Sequence, residues 1–461
     1  MNRSLLSAAL LGLSLISSSG ARAGWVDDPL AAGYTSAGFS SEACPKVASG
    51  ASLTLTDAVD RALCANPKTL SAWAAARASA AQVGVAKSAY LPTVTGTLGQ
   101  SRTLTDSQTA NQLVTRNSTA QLALSYLLLD FGGRAATLNV ARQQLLAAQA
   151  SQDATLQATF LAVVQNYFNV WAAQESVRAA EQAVAAASAS LSVAQGKFEV
   201  GSITRADMLQ AKTALAQAKL NLESARGALQ IARGQLANVL NVSPQTAFVL
   251  APAAQRSASP EELRRVDDLM EEAAGRRPDV RAALSQVEAA KAQVTVAKSA
   301  GLPTLSLGVS GNSAYSSAFG NSSGNTVGLT LTIPVFTGFK THYNIAAAEA
   351  QVASQEAALA AARSQVELDV WTAYQNLSMN IEALKAADEG CASAQESFDL
   401  ALGRYKAGVG TFADVLNAQS ALAQSNQNRI SSLGNLRVAR FALAQSIGGL
   451  DASFLASQSK D

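Results

Sequence analysis

The sequence predicts a mixed α and β fold, mostly α, that is built twice within one chain. Three observations lead to this prediction. A nine-residue segment occurs twice, short alternating segments predict two pairs of strands, and apolar residues recur every seven positions in long helical segments. The repeated segment is Val85–Thr93, which returns as Val296–Thr304 with eight of nine residues identical at an offset of 211. That period is far longer than a solenoid repeat. It indicates one fold that was duplicated and fused.

Composition excludes several classes of protein. Charged residues make up 15% and aromatic residues 5% of the 461 positions, which is too apolar for a disordered chain and too poor in large side chains for an ordinary globular core. The net charge is +2 and no basic patch is interleaved with aromatic residues, which argues against a nucleic-acid partner. His342 is the single histidine, and no catalytic, phosphate-binding or metal-binding motif occurs. We therefore expect no enzyme, no cofactor and no metal site.

The N-terminus predicts export. A basic start with Arg3, an apolar run from Leu5 to Ile16 and the small-residue site Ala21–Ala23 form a signal peptide over residues 1–23, cut before Gly24. No cysteine follows the cleavage site directly, so we expect no lipid anchor. No later segment has 18 consecutive apolar residues, which argues against a transmembrane helix. If this chain enters a membrane, we expect it to do so as strands.

The three cysteines differ in context. Cys44 and Cys64 lie 20 residues apart in the exported N-terminal region, where an oxidising compartment favours a disulfide. Two free thiols are the alternative. Cys391 falls on a heptad position, which favours a small buried apolar residue over a reactive thiol.

Each copy has the same order of predicted elements: helix, strand, polar loop, strand, very long helix, glycine turn and returning helix. The first repeat spans 24–253, the second spans 254–448, and 449–461 is a C-terminal tail. The first helix is expected from Thr56, as N-cap, to Tyr90 with an interruption at Pro67. Alternation predicts strands over 93–100, 121–129, 305–309 and 327–333. The segments 101–119 and 311–326 between them are rich in Ser, Thr, Asn, Gln and Gly, and we expect them to be loops that face water.

The long helices carry a heptad pattern, which predicts helices packed along their length as a coiled coil. The first series is Val163, Val170, Val177, Val184, Leu191 and Phe198. The second, at an offset of 207, is Val370, Leu377, Leu384, Cys391, Phe398 and Tyr405. The returning helices carry Leu215, Leu222, Leu229 and Leu236, and then Leu422, Leu436 and Leu443. A helix over 134–197 measures roughly 95 Å at the usual rise per residue.

Four amphipathic strands in one chain cannot close into a barrel. An open sheet in lipid leaves unpaired backbone groups that cost several kcal/mol each, and small barrels start at about eight strands. We therefore expect oligomerisation, with each copy giving four strands to a transmembrane β-barrel. The helices that continue from those strands extend the barrel wall as an α-helical tunnel.

The chain resembles the TolC family of outer-membrane efflux and secretion channels over essentially all of its mature sequence. The resemblance is carried by the repeated VAKSAxLPT segment, by YLLLDFGG at 126–133 and IPVFTG at 333–338 after the second strand of each copy, and by the repeated turn [KR][FY]xxGxxTxxDxL. It implies a homotrimer in outer-membrane lipid with a twelve-stranded barrel and a twelve-helix periplasmic tunnel. It also implies a passive exit duct for a periplasmic adaptor protein and an inner-membrane pump of the ABC, RND or MFS type. The cysteine pair and the missing lipid anchor favour members that serve type I secretion.

The same resemblance implies a gate where the tunnel ends. Tyr405 matches the family's gate tyrosine, Asp414 and Asp207 match gate aspartates, Asn417 stands where a second aspartate would be, and Gly410 where an arginine would be. A ring of carboxylates would attract cations and bind a polyvalent cation as a plug. The alternatives are that the aspartates cap helix N-termini and that Tyr405 is a core residue.

The glycine turns between the long helices are the implied adaptor contacts. Glycine supplies the positive φ that a tight helix-to-helix turn requires, and small side chains allow another helix tip to approach the backbone. The residues concerned are Val200, Gly201, Ser202, Gly408 and Val409.

The predicted elements are also compatible with a different class of function. A trimeric coiled-coil surface stalk or adhesin with a barrel anchor would also combine strands with long helices. That arrangement needs one set of strands for each stalk, whereas this sequence places strands in both halves, so the duct is the favoured function.

Overall fold

The computed structural model describes residues 44, 50, 52–107, 110–251 and 265–450, without side chains at 105–113. The predicted signal peptide, most of the N-terminal region, the predicted repeat boundary at 253/254 and residues 451–461 of the tail lie outside these ranges. The first repeat contains, in chain order, β1 Ser52–Leu53, α1 Leu55–Ala65, α2 Pro67–Ser88, β2 Thr93–Ser107, β3 Ala110–Leu129, α3 Gly133–Glu199, α4 Arg205–Val239 and β4 Val249–Leu250.

Each helix of the second repeat has the same number of residues as its counterpart in the first repeat. Its elements are α5 Val266–Arg276, α6 Pro278–Ser299, β5 Thr304–Ser316, β6 Gly320–Thr332, α7 Lys340–Lys406 and α8 Phe412–Ser446. The two long helices α3 and α7 have 67 residues each, and the returning helices α4 and α8 have 35 each. At the usual rise of 1.5 Å per residue, each long helix measures about 100 Å.

One antiparallel sheet gathers the strands of both repeats in the order β2-β3-β5-β6. Its central pairing joins the repeats, with Leu124 opposite Val309. The strands extend beyond the predicted bounds, so the prediction of loops over 101–119 and 311–326 was wrong for most of both segments. The ladder continues through polar residues because backbone hydrogen bonds hold it, and threonine itself favours strands. A second, parallel pair, β1 with β4, was not predicted.

The first helix begins earlier than the sequence suggested. Thr54, and not Thr56, is its N-cap, because Asp57 then lies at the third helical position and closes a capping box. The Asp57 amide donates to Thr54 Oγ1 at 3.1 Å, and Asp57 Oδ2 accepts from the Thr54 amide at 3.3 Å. The interruption at Pro67 is present, since Pro67 is the first residue of α2.

The strand-to-helix junctions turn sharply. Phe131 and Phe339 have φ values of 50° and 63°, which is uncommon for a bulky residue. In the first repeat, Arg134 holds the junction together: its amide donates to Asp130 Oδ2 at 2.6 Å, and its Nη1 donates to the Leu127 carbonyl at 2.7 Å. The guanidinium therefore ties the start of α3 to the end of β3.

The helices pack through the predicted heptad positions, most tightly around the middle of the long helices. Val163, Val170 and Val370 are fully buried, and Leu377 nearly so. Further along, heptad residues such as Val184 are only half-buried, because small and polar side chains line the helices there. Within the described ranges, no helix combines the length and the apolar composition required to cross a membrane.

Candidate functional site

The two glycine turns have the same hydrogen-bond pattern. In the first, the Ser202 amide donates to the Lys197 carbonyl at 2.8 Å, and Gly201 has a φ of 74°. In the second, the Val409 amide donates to the Arg404 carbonyl at 3.0 Å, and Gly408 has a φ of 82°. Both turns are therefore closed by the C-terminal motif that requires a left-handed glycine. We call residues 197–207 and 404–414 the helical tip.

The five residues predicted to meet an adaptor are all exposed at this tip. Val200 and Val409 are 75% and 70% exposed, although both are apolar. A Cβ atom placed on Gly201 or Gly408 would meet nothing within 4 Å. The turns therefore present open backbone to the surroundings. Val200, Gly201, Ser202, Gly408 and Val409 make up this surface.

The two candidate gate aspartates each close a capping box. Asp207 Oδ2 accepts from the Thr204 amide at 3.1 Å and from its hydroxyl at 2.8 Å. Asp414 Oδ2 accepts in the same way from Thr411, at 3.0 and 2.8 Å. The Thr411 hydrogen bonds lower the pKa of Asp414, and the positive charge of Arg404 adds to this effect. The structure thus shows the capping role, while the proposed carboxylate ring stays a prediction.

Tyr405 is a buried residue in this structure. It is 3% exposed and packs against Phe412, with 5.4 Å between ring centroids. Burial raises the pKa of Tyr405, and the nearby Asp207 carboxylate raises it further. Its hydroxyl has no hydrogen-bond partner among the described residues. These contacts match the core alternative, and the gate role stays a prediction.

Lys197 joins the two repeats at the tip. Its ammonium donates to the Tyr405 carbonyl and lies 4.5 Å from the centroid of the Tyr405 ring. The contact therefore combines a charge-assisted hydrogen bond, at the negative end of α7, with a cation–π interaction. Lys197 was not predicted as a site residue, because only its place in the repeated turn motif distinguishes it in the sequence.

A groove of about 660 Å³ lies beside the second turn. Arg404, Asp414 and Asn417 line it together with Gly410. A Cβ atom on Gly410 would lie 3.1 Å from Arg404 Cβ and 3.2 Å from the Tyr405 amide nitrogen. A larger side chain at position 410 would therefore push against the end of α7. Arg404 was not predicted as a site residue, and it supplies a positive charge in this groove.

Away from the tip, amides and hydroxyls add polar contacts between the two helical hairpins. Ser176 Oγ donates to Gln427 Oε1 at 3.1 Å, and Gln419 Nε2 donates to the Ala183 carbonyl at 3.5 Å. Within the second hairpin, Cys391 is half-buried, and its Sγ donates to Asn426 Oδ1 at 3.2 Å. In the part of the chain that the structure describes, no group of His, Cys, Asp or Glu residues is arranged to hold a metal ion.

Cys44 and Cys64 form a disulfide in this structure, with their Cα atoms 5.7 Å apart. Cys64 lies near the end of α1 and Cys44 is buried. The bond therefore attaches the segment before β1 to the first helix.

Curated relatives match this chain over most of its length. Protein CyaE of Bordetella pertussis is 33% identical over 408 residues, which cover 87% of this chain and 85% of the relative. Outer membrane protein TolC of Escherichia coli is 24% identical over 444 residues, which cover 92% and 86%. The resemblance inferred from the repeated motifs is thereby confirmed.

A solved structure has the same fold. CusC, described in connection with transmembrane channel formation, superimposes with a TM-score of 0.75 at 20% identity, covering 86% of this chain and 92% of that one. The predicted fold class is confirmed: a mostly helical, internally duplicated protomer that gives strands to a transmembrane barrel and long coiled-coil helices to a periplasmic tunnel.

The family model described as outer membrane efflux protein matches residues 58–242 and 269–449, one segment in each repeat. Both segments contain a long helix, a glycine turn and a returning helix. The chain therefore belongs to the family of outer membrane efflux proteins and is an outer-membrane exit duct for efflux or type I secretion.

Proposed function

We propose that three copies of this chain assemble into the duct, each giving four strands to a twelve-stranded barrel and four helices to a twelve-helix tunnel. The observation that carries this proposal is the four-stranded sheet itself. Its outer strands β2 and β6 have no further neighbour among the described residues, and unpaired strand edges are not tolerated in lipid. Pairing β2 of one copy with β6 of the next satisfies both edges. Family membership removes the surface-stalk alternative.

The cargo is moved by a partner. The duct would be reached through a periplasmic adaptor and driven by an inner-membrane pump of the ABC, RND or MFS type, while the chain itself would catalyse nothing and need no cofactor. The chain would be exported by the signal peptide at 1–23. The relation to CyaE supports the type I secretion class of partner.

The adaptor would dock on the two turns of the helical tip. The exposed apolar side chains of Val200 and Val409 and the open backbone at Gly201 and Gly408 support this assignment. An exposed apolar residue at the end of a long helix contributes nothing to the core of its own chain, whereas a partner can bury it.

The gate would lie at the same end of the tunnel. Asp207 and Asp414, repeated three times, would bring six carboxylates to one constriction. Each carboxylate is fixed by its capping box, so the charges are held in place rather than on flexible side chains. Tyr405 would stabilise the closed tip from within the hairpin interface, and Asn417 would line the groove beside Asp414.

Single-channel conductance in a planar bilayer tests this function. The purified protein should give small, stable, cation-selective currents, and a polyvalent cation such as hexamminecobalt added on the side of the helical tip should block them. Anion selectivity, or equal block from both sides, would contradict the carboxylate gate. Absence of any current from well-inserted oligomers, even after the tip has been opened by substitution, would contradict the duct.

A further inference from the structure

The two faces of the four-stranded sheet differ in chemistry. Because successive side chains in a strand alternate between the faces, the pairing register assigns each residue to one of them. On the described part of one face, Thr, Ser, Asn, Gln, Gly and Ala predominate. The other face carries apolar residues on every strand, and one of its rows crosses the whole sheet: Val327, Val309, Leu124 and Val94. The apolar face of a transmembrane barrel meets lipid, so we call the face with this row the lipid face.

Two arginines interrupt the lipid face. Arg102 and Arg116 are the only charged residues among the side chains that the structure describes in the four strands. Arg102 follows Val94 by eight residues, so it belongs to the same face, and it lies directly opposite Arg116. Both side chains are exposed. The ladder continues past them to Leu104 opposite Val114, so both arginines are held on paired strands and not on a loop.

The backbone brings these two side chains close together. The Arg116 amide donates to Ser317 Oγ at 2.9 Å, and the Arg116 carbonyl accepts from the Ser317 amide at 2.9 Å. The backbone groups of Arg116 therefore point towards β5 and away from β2. Arg102 and Arg116 thus form a non-hydrogen-bonded pair, which is the kind of antiparallel pair whose side chains lie nearest to each other.

This arrangement leaves two positive charges without a counter-charge. Like charges directly opposite each other destabilise a pair of strands. Among the residues that the structure describes, no carboxylate lies within ion-pair distance of Arg102 or Arg116. An anion between the two guanidinium groups would change this repulsion into attraction.

The length of the strands places the pair near the outer surface of the membrane. Leu305 is the first residue of the lipid face on β5, and Ser317, which is bonded to Arg116, follows twelve residues later. At about 3.4 Å per residue and a tilt of about 40°, this separation is about 30 Å along the membrane normal, which equals the usual thickness of the hydrocarbon core. Tyr315, a residue type enriched at membrane–water interfaces, lies one row below the arginines. The pair is therefore level with the headgroups of the outer leaflet, at the end of the sheet away from the periplasmic helices.

We propose that Arg102 and Arg116 together bind a phosphate group of an outer-leaflet lipid. The planar guanidinium group matches phosphate oxygens in a bidentate geometry, and one phosphate can accept hydrogen bonds from both arginines. A lipid is the occupant, in preference to free phosphate, because apolar side chains for its acyl chains lie below the pair on the same face. Leu98 and Leu122 are 73% and 60% exposed there. Lipid A, the phosphorylated glycolipid of the outer leaflet, provides both chemical features.

Native mass spectrometry of the purified oligomer in detergent tests the proposal. Lipid A, enzymatically dephosphorylated lipid A and inorganic phosphate are titrated separately. The test variant is Arg102→Gln with Arg116→Gln. The matched control is Lys219→Gln with Lys385→Gln, which removes two positive charges from exposed positions on α4 and α7.

The unsubstituted protein and the lysine control should bind lipid A equally, and the arginine variant should bind it at least about tenfold more weakly, as expected for the loss of hydrogen bonds to a charged group. Equal binding by the arginine variant, or equal weakening in the lysine control, would overturn the proposal. Equal binding of dephosphorylated lipid A would show that apolar contact alone holds the lipid. Saturation by inorganic phosphate at the same concentrations would assign the site to free phosphate.

A heat-resistant oligomer on denaturing gels shows that each variant has assembled. If the double variant does not assemble, Arg102→Gln and Arg116→Gln are measured singly, and each should weaken binding of lipid A; unchanged binding by both would overturn the proposal. Conductance in planar bilayers checks the face independently. Because the arginines lie on the lipid face, their replacement should leave ion selectivity unchanged, whereas a shift towards cations would place the two charges in the lumen and overturn the proposal.

Discussion

Replacing Lys197 by methionine should loosen the helical tip without disturbing the barrel. Methionine keeps the length of the side chain but removes the ammonium that donates to the Tyr405 carbonyl and lies 4.5 Å from its ring. A hydrogen bond from a charged group contributes about 1.5–3 kcal/mol net, and a cation–π contact contributes about 0.5–2 kcal/mol. One half-buried ammonium makes both contacts, so their energies are not additive. We expect a loss of about 1–2 kcal/mol for each copy.

That loss acts on the contact between the repeats, because Lys197 is on α3 and Tyr405 is on α7. A change of about 1–2 kcal/mol alters a two-state ratio roughly 5- to 30-fold. In planar bilayers, Lys197→Met should therefore raise the open fraction by at least that factor, since every copy in the oligomer loses the contact, and heat-resistant oligomers should form in normal amounts. Lys197→Arg should stay close to the unsubstituted protein, because it keeps the positive charge.

Lys212→Met is the matched control for this experiment. Lys212 is an exposed lysine on α4 close to the tip, so its replacement removes the same charge from the same end of the tunnel. If Lys197→Met and Lys212→Met raise the open fraction equally, the effect is one of net charge. If neither raises it, Lys197 does not hold the tip closed.

Four further outcomes are expected. Asp207→Ala with Asp414→Ala should reduce cation selectivity and block by a polyvalent cation; unchanged block would leave capping as their only role. The pKa of Asp414 lies below the ordinary 3.8, so its carboxylate should stay charged, and should keep contributing to stability, until the pH falls through that lowered pKa. Measuring block by a polyvalent cation as a function of pH, in an Asp207→Ala background, checks this. Loss of block at a pH above 3.8 would contradict it. Gly408→Trp should abolish export while assembly continues, whereas Gly408→Ala, with the same strain at φ 82°, should retain export; normal export by the tryptophan variant would exclude the turn as a docking surface. Replacing Cys44 and Cys64 by serine should lower the free energy of unfolding by about 3 kcal/mol, from the entropy of a 20-residue loop, as measured by denaturant titration; an unchanged midpoint would show that the bond does not stabilise the fold.

Local signals predicted the helices well. The heptad series and the glycine turns are read from neighbouring residues alone, and the first long helix was expected over 134–197 against the observed Gly133–Glu199. The N-cap of the first helix was placed two residues late, since Thr54 and Thr56 are both good caps. Only the position of Asp57 relative to each threonine distinguishes them, because the capping box requires the acid at the third helical position.

The strands were harder to predict for a physical reason. Alternation reveals a strand only where one face is apolar, and the ends of these strands carry polar residues on both faces. In the β-hairpin formed by β5 and β6, the paired residues run from Thr304 opposite Thr332 to Ser316 opposite Gly320. Pairing with a neighbouring strand, rather than the local sequence, decides where such a strand ends.

Burial at the tip could not be predicted from the repeats. Phe198 and Tyr405 occupy equivalent heptad positions, and nothing in either local sequence says which will be covered. The difference depends on which repeat lies over the other, which is a property of the folded chain and of its neighbours. Arg404 was missed for the same reason, since its importance comes from the groove and not from a motif.

Gly410 and Arg404 are linked by close packing. The family pattern would place an arginine at position 410, but a Cβ atom there would lie 3.1 Å from Arg404 Cβ, closer than nearly all such contacts. An arginine at 410 would therefore require the end of α7 to move. With glycine at 410, the backbone of the turn packs directly against Arg404, and the guanidinium enters the groove from α7 beside Asp414. Arg404 thus places a positive charge near the Asp414 carboxylate and helps to lower its pKa. Arg404 and Asp414 belong to the same hairpin, on either side of one turn, so a motion of that hairpin as a whole would keep the two charges together.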